Sequence, residues 1–102
     1  MNQNSSNGGS PKLKLEILEA LWTDLKDHAQ RNAVFILSTE LDLLEAAQKM
    51  IEDDAVTVAK YVQTGRIARP TPELMKLWDA SKHKSFRFVI IQPYVMIQEL
   101  GH

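Results

Sequence analysis

The sequence predicts an α+β domain: about four helices packed on a small sheet of two or three strands, in the order helix, strand, helix, helix, helix, strand. Three observations carry this. Apolar residues recur at spacings of three and four over most of the chain, which is the helical period. Two stretches, AVFILS at 33–38 and the segment from Phe86 to Glu99, replace that period with β-branched and aromatic runs. The chain has 102 residues, 44% hydrophobic and 25% charged. A chain of that length buries roughly 60–70% of its unfolded surface, enough for one modest core.

Residues 1–10, MNQNSSNGGS, are polar and glycine-rich and are expected to form a flexible tail, leaving 11–100 as the single domain. From Pro11, the series Leu15, Leu18, Trp22, Leu25 and Ala29 predicts an amphipathic helix of about four to five turns. His28 and Arg31 stand in its last turn, where cationic side chains meet the negative end of the helix dipole, and Asn32 is a stop. Residues 33–38 are apolar on both faces and predict a buried strand.

Thr39, with Asp42 three positions on, starts a second helix whose apolar face is Leu41, Leu44, Ala47 and Ile51. Glu52, Asp53 and Asp54 suit a helix end poorly, because the dipole repels them there. They fit a turn in which Asp53 or Asp54 caps a third helix with Ala55, Val58, Ala59 and Val62 buried. Gly65 supplies a left-handed stop, and 66–70 a linker. Thr71-Pro72-Glu73 reads as cap, proline in the first turn and acid, opening a short fourth helix with Leu74, Leu77 and Trp78. A basic loop at 81–85 leads to the last β segment.

Pro93 interrupts that segment. A tight hairpin at Pro93-Tyr94 is excluded on this reading, since two-residue loops of the usual kind need positive φ, which proline cannot adopt. The residues from Phe86 to Glu99 are therefore expected to run as one extended segment, with Pro93 marking an edge or a bend. An apolar edge invites association, and a second copy of the chain is the commonest cover. Phe88, Ile90, Pro93, Val95 and Ile97 are the candidate interface residues; the competing arrangement tucks the residues past Pro93 over the first helix.

Chemistry-bearing motifs are few. The chain has no cysteine, which removes disulfides, thiolate zinc sites and thiol nucleophiles. It lacks HExxH, a glycine-rich phosphate loop and an assignable Ser-His-Asp order, and no cofactor is expected. Residues 40–54 carry six carboxylates against one lysine, but without calcium-loop spacing they read as helix caps, and no metal is expected. Residues 60–87 carry seven basic against two acidic side chains, and Arg66, Arg69, Lys82, Lys84 and Arg87 near Phe86 suit phosphate contact. The net charge of −1 argues against nucleic acid as the main partner. No apolar run approaches the roughly 20 residues of a membrane span, and the first residues lack the core of a secretory signal, so a cytoplasmic protein is expected. His28 with Arg31 suits anion binding or proton transfer, set against plain dipole complementation. Gln92, Tyr94 and Gln98 are polar groups on an apolar ribbon that suit a pocket wall or an interface.

The spacing Trp22-x-x-Leu25-x-x-His28-x-x-Arg31, then Leu41-Asp42-Leu43 with Ala46 and Ala47, Asp53-Asp54, Gly65, Arg69, Trp78 and Pro93-Tyr94-Val95-x-Ile97-Gln98-Glu99 resembles a bacterial family catalogued as domain of unknown function 2288. Tyr61 stands where that pattern has tryptophan and keeps an aromatic packing role. The resemblance implies a bacterial cytoplasmic setting and no mechanism. It singles out His28, Arg31, Asp42, Asp54, Tyr94 and Gln98 as ligand-binding candidates. Two functions follow as expectations. The first is a non-enzymatic protein-interaction module that homodimerises through the segment from Phe86 to Glu99. The second is a small-molecule-binding protein or enzyme built on a polar cluster around His28, Arg31, Asp42, Asp54 and Tyr94.

Overall fold

Leu18, Glu19, Ala20 and Leu21 are all good helix formers, yet they lie in a sheet. In the computed structural model, which describes residues 15–81 and 83–100, Leu18–Leu21 is strand β1 and the first helix, α1, runs only over Trp22–Gln30. The expected long helix from Pro11 is thus corrected, and its first residues lie outside the described ones, as does the expected tail. Strand pairing overrides propensity here: Leu18 to Leu21 lie antiparallel opposite Phe88 to Ser85, a register no local signal encodes. The Trp22 backbone N–H, bonded to the Lys84 carbonyl at 2.9 Å, ties the start of α1 to the same neighbour.

The remaining elements are β2 (Val34–Leu37), α2 (Leu43–Ile51), α3 (Ala55–Gln63), β3 (Ile67–Ala68), α4 (Pro72–Ala80), β4 (Ser85–Ile91) and β5 (Tyr94–Glu99). The α+β class with four helices holds, but the sheet is larger than the two or three strands expected. It has five strands in the order β1-β4-β5-β2-β3, antiparallel except for the β2–β5 pair. Neither additional strand carries a local strand signal. β1 hides in a helical pattern, and β3 is two residues of the expected linker.

Helix starts follow local chemistry. Asp42 caps α2 by accepting from the Glu45 N–H at 2.9 Å, so that helix begins later than the Thr39 expected. Asp54 caps α3 through the Thr57 N–H and hydroxyl at 3.1 and 2.9 Å, and Thr71 caps α4 through the Leu74 N–H at 3.1 Å. Gly65 takes φ 74°, the left-handed position expected of it. The stripe expected to be buried on α3 is not: Val58 is half-buried, whereas Ala55, Ala59 and Val62 are exposed, because α3 lies at the margin of the sheet against α2 and β3.

The main correction concerns Pro93. Ile91 pairs with Tyr94, and β4 and β5 form a hairpin around Gln92-Pro93. The Gln92–Pro93 peptide is cis, so the chain reverses in a turn of the type that carries cis-proline at its third position and needs no positive φ. β5 is consequently the central strand, not an edge, bonded to β4 on one side and β2 on the other.

Each face of the sheet carries its own core. Trp22, Leu25 and Ala29 of α1 and Trp78 of α4 pack on Val34, Phe86, Val95 and Ile97. Leu43, Ala46 and Ala47 of α2 pack on the opposite face, over Leu37, Ile67, Val89, Ile91 and Met96. The first core holds an aromatic triad: Trp22 to Trp78 at 4.9 Å, Trp78 to Phe86 at 4.8 Å and Trp22 to Phe86 at 6.1 Å between ring centroids. Each such pair adds about 0.5–1.5 kcal/mol beyond area burial. Among the described residues, no helix is long and apolar enough to cross a membrane.

The indole N–H of Trp22 donates to the Asp79 carboxylate at 2.7 Å, and the Lys26 ammonium lies 3.1 Å from the same oxygen. The indole bond first and the lysine second hold the Asp79 carboxyl below its ordinary 3.8. A folded value below the unfolded one means stability that is present above 3.8 and lost as pH falls through it towards the lowered value. Wild-type unfolding free energy, measured by urea titration, is therefore expected to fall more steeply on acidification through that window than that of Asp79→Asn. Equal slopes would rule out this bond as a source of stability.

Candidate functional site

Three residues of α1 and its C-terminal cap, Asp24, His28 and Arg31, are spaced four and three apart and so share one helical face. The hairpin tip stands opposite them. Between the two lies a cleft of about 460 Å³, inside the 300–1,000 Å³ or so typical of small-molecule sites. Its walls are Asp24, Leu25, His28 and Arg31 from α1 and its cap, Phe88 and Ile90 from β4, the turn residues Gln92 and Pro93, the start of β5 at Tyr94 and Val95, with Ala20 and Ala33. Strand alternation explains the floor: Phe88 and Ile90 point to the α1 face, whereas Val89 and Ile91 enter the opposite core.

The polar side has a defined hydrogen-bond sense. Arg31 Nη2 lies 3.1 Å from His28 Nδ1. A guanidinium can only donate, so this contact assigns Nδ1 as the acceptor and leaves Nε2–H as a further donor. Asp24 takes one long bond, 3.4 Å, from the Leu21 N–H at the start of the helix. The cleft therefore offers a cation, an imidazole N–H and a carboxylate above an apolar floor.

The residues singled out from the sequence divide. His28, Arg31 and Tyr94 line the cleft together with four of the five interface candidates, Phe88, Ile90, Pro93 and Val95. The Tyr94 ring does not face it. It shares strand parity with Met96 and packs edge-on against Phe35 at 5.1 Å on the other side of the sheet, where the Arg69 guanidinium caps Phe35 at 4.6 Å. Asp42 and Asp54 cap α2 and α3 over the opposite face and do not join the cluster. The Asp54 carboxyl is held below its ordinary value chiefly by the Thr57 backbone N–H, with the Thr57 hydroxyl second.

Gln98 is 5% exposed, and its amide donates to the carbonyls of Ser38 and Leu41 at 2.8 and 2.7 Å. Ile97 is fully buried, whereas Ile90 is 47% exposed. Asp24 went unnoticed in the sequence, although its position one turn before His28 was a legible signal; what was missing was the hairpin that closes the cleft over it. A second, shallower hollow of about 340 Å³ lies at Met50, Asp53, Ala55, Val58 and Ala59 and brings in one polar side chain. Among the described residues, no group of three or more His, Asp or Glu could hold a metal ion.

Gln98 is a lock between β5 and the loop after β2. Gln98→Ala takes the amide donor from the Leu41 carbonyl and leaves the Ser38 carbonyl with the Leu41 N–H alone, and is expected to cost about 1–3 kcal/mol in urea unfolding; a neutral substitution would show that water replaces the amide.

A family model described as "Protein of unknown function (DUF2288)" matches residues 10–99. This bears out the resemblance carried by the spacing from Trp22 to Glu99. No curated protein matches the chain. A solution NMR structure of PA1075 from Pseudomonas aeruginosa superposes with a TM-score of 0.75 at 23% sequence identity, covering 92% of this chain and 95% of that one. At that identity the likeness establishes the shared fold.

Proposed function

The chain belongs to the DUF2288 family, and from that premise we propose that it is a binding protein whose cleft between α1 and the β4–β5 hairpin takes a small organic anion. The observation that carries this reading is the meeting of His28 and Arg31 with an apolar floor of Phe88 and Ile90 in one concavity. The Arg31 fork keeps donors beyond the one shared with His28, and with the Nε2–H of that ring it suits a carboxylate. The apolar body of the ligand covers Ile90, which water otherwise reaches. Asp42, Asp54 and Gln98 act in this reading as structural groups.

The test is a ¹⁵N NMR titration of the full chain with octanoate. Saturable shifts gathered at His28, Arg31, Ile90 and Gln92, and weakened about tenfold or more in Arg31→Ala, are expected for loss of a charge-assisted hydrogen-bonded contact. Shifts that are absent, or scattered and indifferent to Arg31, would sink the proposal.

A second reading, the homodimer, keeps one supporting observation although its edge-strand premise is gone. Leu18 and Ile90, 42% and 47% exposed, lie on one face of neighbouring strands, where a second copy would cover them. Light scattering over a range of concentrations separates the readings. A dimer built on this face becomes a folded monomer in Ile90→Lys, and a wild-type monomer at every concentration removes the reading. Ile97→Lys, which buries a charge, unfolds the protein in either case.

A further inference from the structure

The cleft has two charged ends. Asp24 and Arg31 sit on one face of α1 and its cap, seven residues apart, which at about 1.5 Å per residue separates them by roughly 10 Å along the helix. Neither takes part in any of the ion pairs among the described residues, whereas Lys26, Lys49, Arg66 and Lys84 each meet a carboxylate. Between the ends, His28 turns Nδ1 to Arg31 and offers its Nε2–H, and the surface beneath is Phe88, Ile90 and Leu25. Apart from His28 and, at the hairpin turn, Gln92, the hydrogen-bonding side chains of the cleft stand at its ends, and the surface between them suits an alkyl spacer.

We infer that the ligand is a zwitterion, an ω-amino carboxylate whose carboxylate meets Arg31 and His28, whose ammonium meets Asp24, and whose alkyl spacer lies over Phe88 and Ile90. This rests on the small-molecule reading of the cleft and deepens it, because a plain fatty carboxylate brings no cation to the Asp24 carboxylate, which otherwise takes only the Leu21 N–H. The length of the spacer follows from the helix: a chain too short to span both ends gains nothing from its second charge.

The experiment compares octanoate with ω-aminooctanoate, and butyrate with γ-aminobutyrate, by NMR titration of the wild type, Asp24→Asn and Arg31→Ala. The side-chain carbonyl introduced by Asp24→Asn can still accept from the Leu21 N–H, so the fold of that variant is kept. An exposed ion pair is modest, so ω-aminooctanoate is expected to bind about threefold more tightly than octanoate in the wild type. The advantage disappears in Asp24→Asn, where octanoate and its amino analogue bind alike, Arg31→Ala weakens both long ligands, and γ-aminobutyrate shows no gain over butyrate. Octanoate binding as tightly as its amino analogue, with Asp24→Asn silent, would overturn the zwitterion while leaving the cleft reading intact. No saturable binding by any of the four would overturn both.

Discussion

Strand β5 joins the two halves of the sheet and carries side chains into the core on either side of it, so its register sets where the hairpin tip and both helical layers lie. It is hydrogen-bonded along both edges, antiparallel to β4 and parallel to β2, and its side chains enter both cores. A central strand buried on two faces tolerates neither a shift of register nor a charge, because a one-residue slip would exchange Val95 and Ile97 with Met96 and Gln98. Gln98 reinforces the register, its amide reaching only the Ser38 and Leu41 carbonyls that this alignment brings near. The hairpin tip, and with it one wall of the cleft, is therefore held by the interior of the sheet.

The opposite wall is held by aromatic packing. α1 is short, nine residues, and a helix of that length has little stability of its own. It is pinned at its start by Trp22, which packs edge-on against Trp78 and tilted against Phe86 and donates its indole N–H to Asp79. Rotation of α1 about its axis would withdraw Trp22, Leu25 and Ala29 from the core together. The same constraint sets the azimuth of Asp24, His28 and Arg31, which follow from the buried positions by helical geometry. The polar face of the cleft is thus a consequence of the apolar face of the core.

Local chemistry made part of this legible. Asp54 and Thr71 as caps, proline in the first turn of α4, Gly65 as a left-handed stop and residues 33–38 as a strand buried on both faces all express preferences that act within a few residues. His28 and Arg31 could be read as neighbours on one helical turn for the same reason. The features that the sequence did not show are chiefly non-local. β1 has a helical pattern that only β4 overrides, α3 presents an apolar stripe that its marginal position leaves exposed, and Pro93 forbids one class of turn while permitting another through its cis peptide.

The α+β class, the number of helices, the caps of α3 and α4 and the family resemblance were legible in the chain alone, because these rest on periodicity and on hydrogen bonds spanning three or four positions. The tertiary structure alone decided the five-stranded order, the central place of β5 and the meeting of α1 with the hairpin tip. Those depend on pairings between residues as far apart as Leu18 and Phe88, whose partners are chosen by competing burial across the whole chain rather than by anything written beside them.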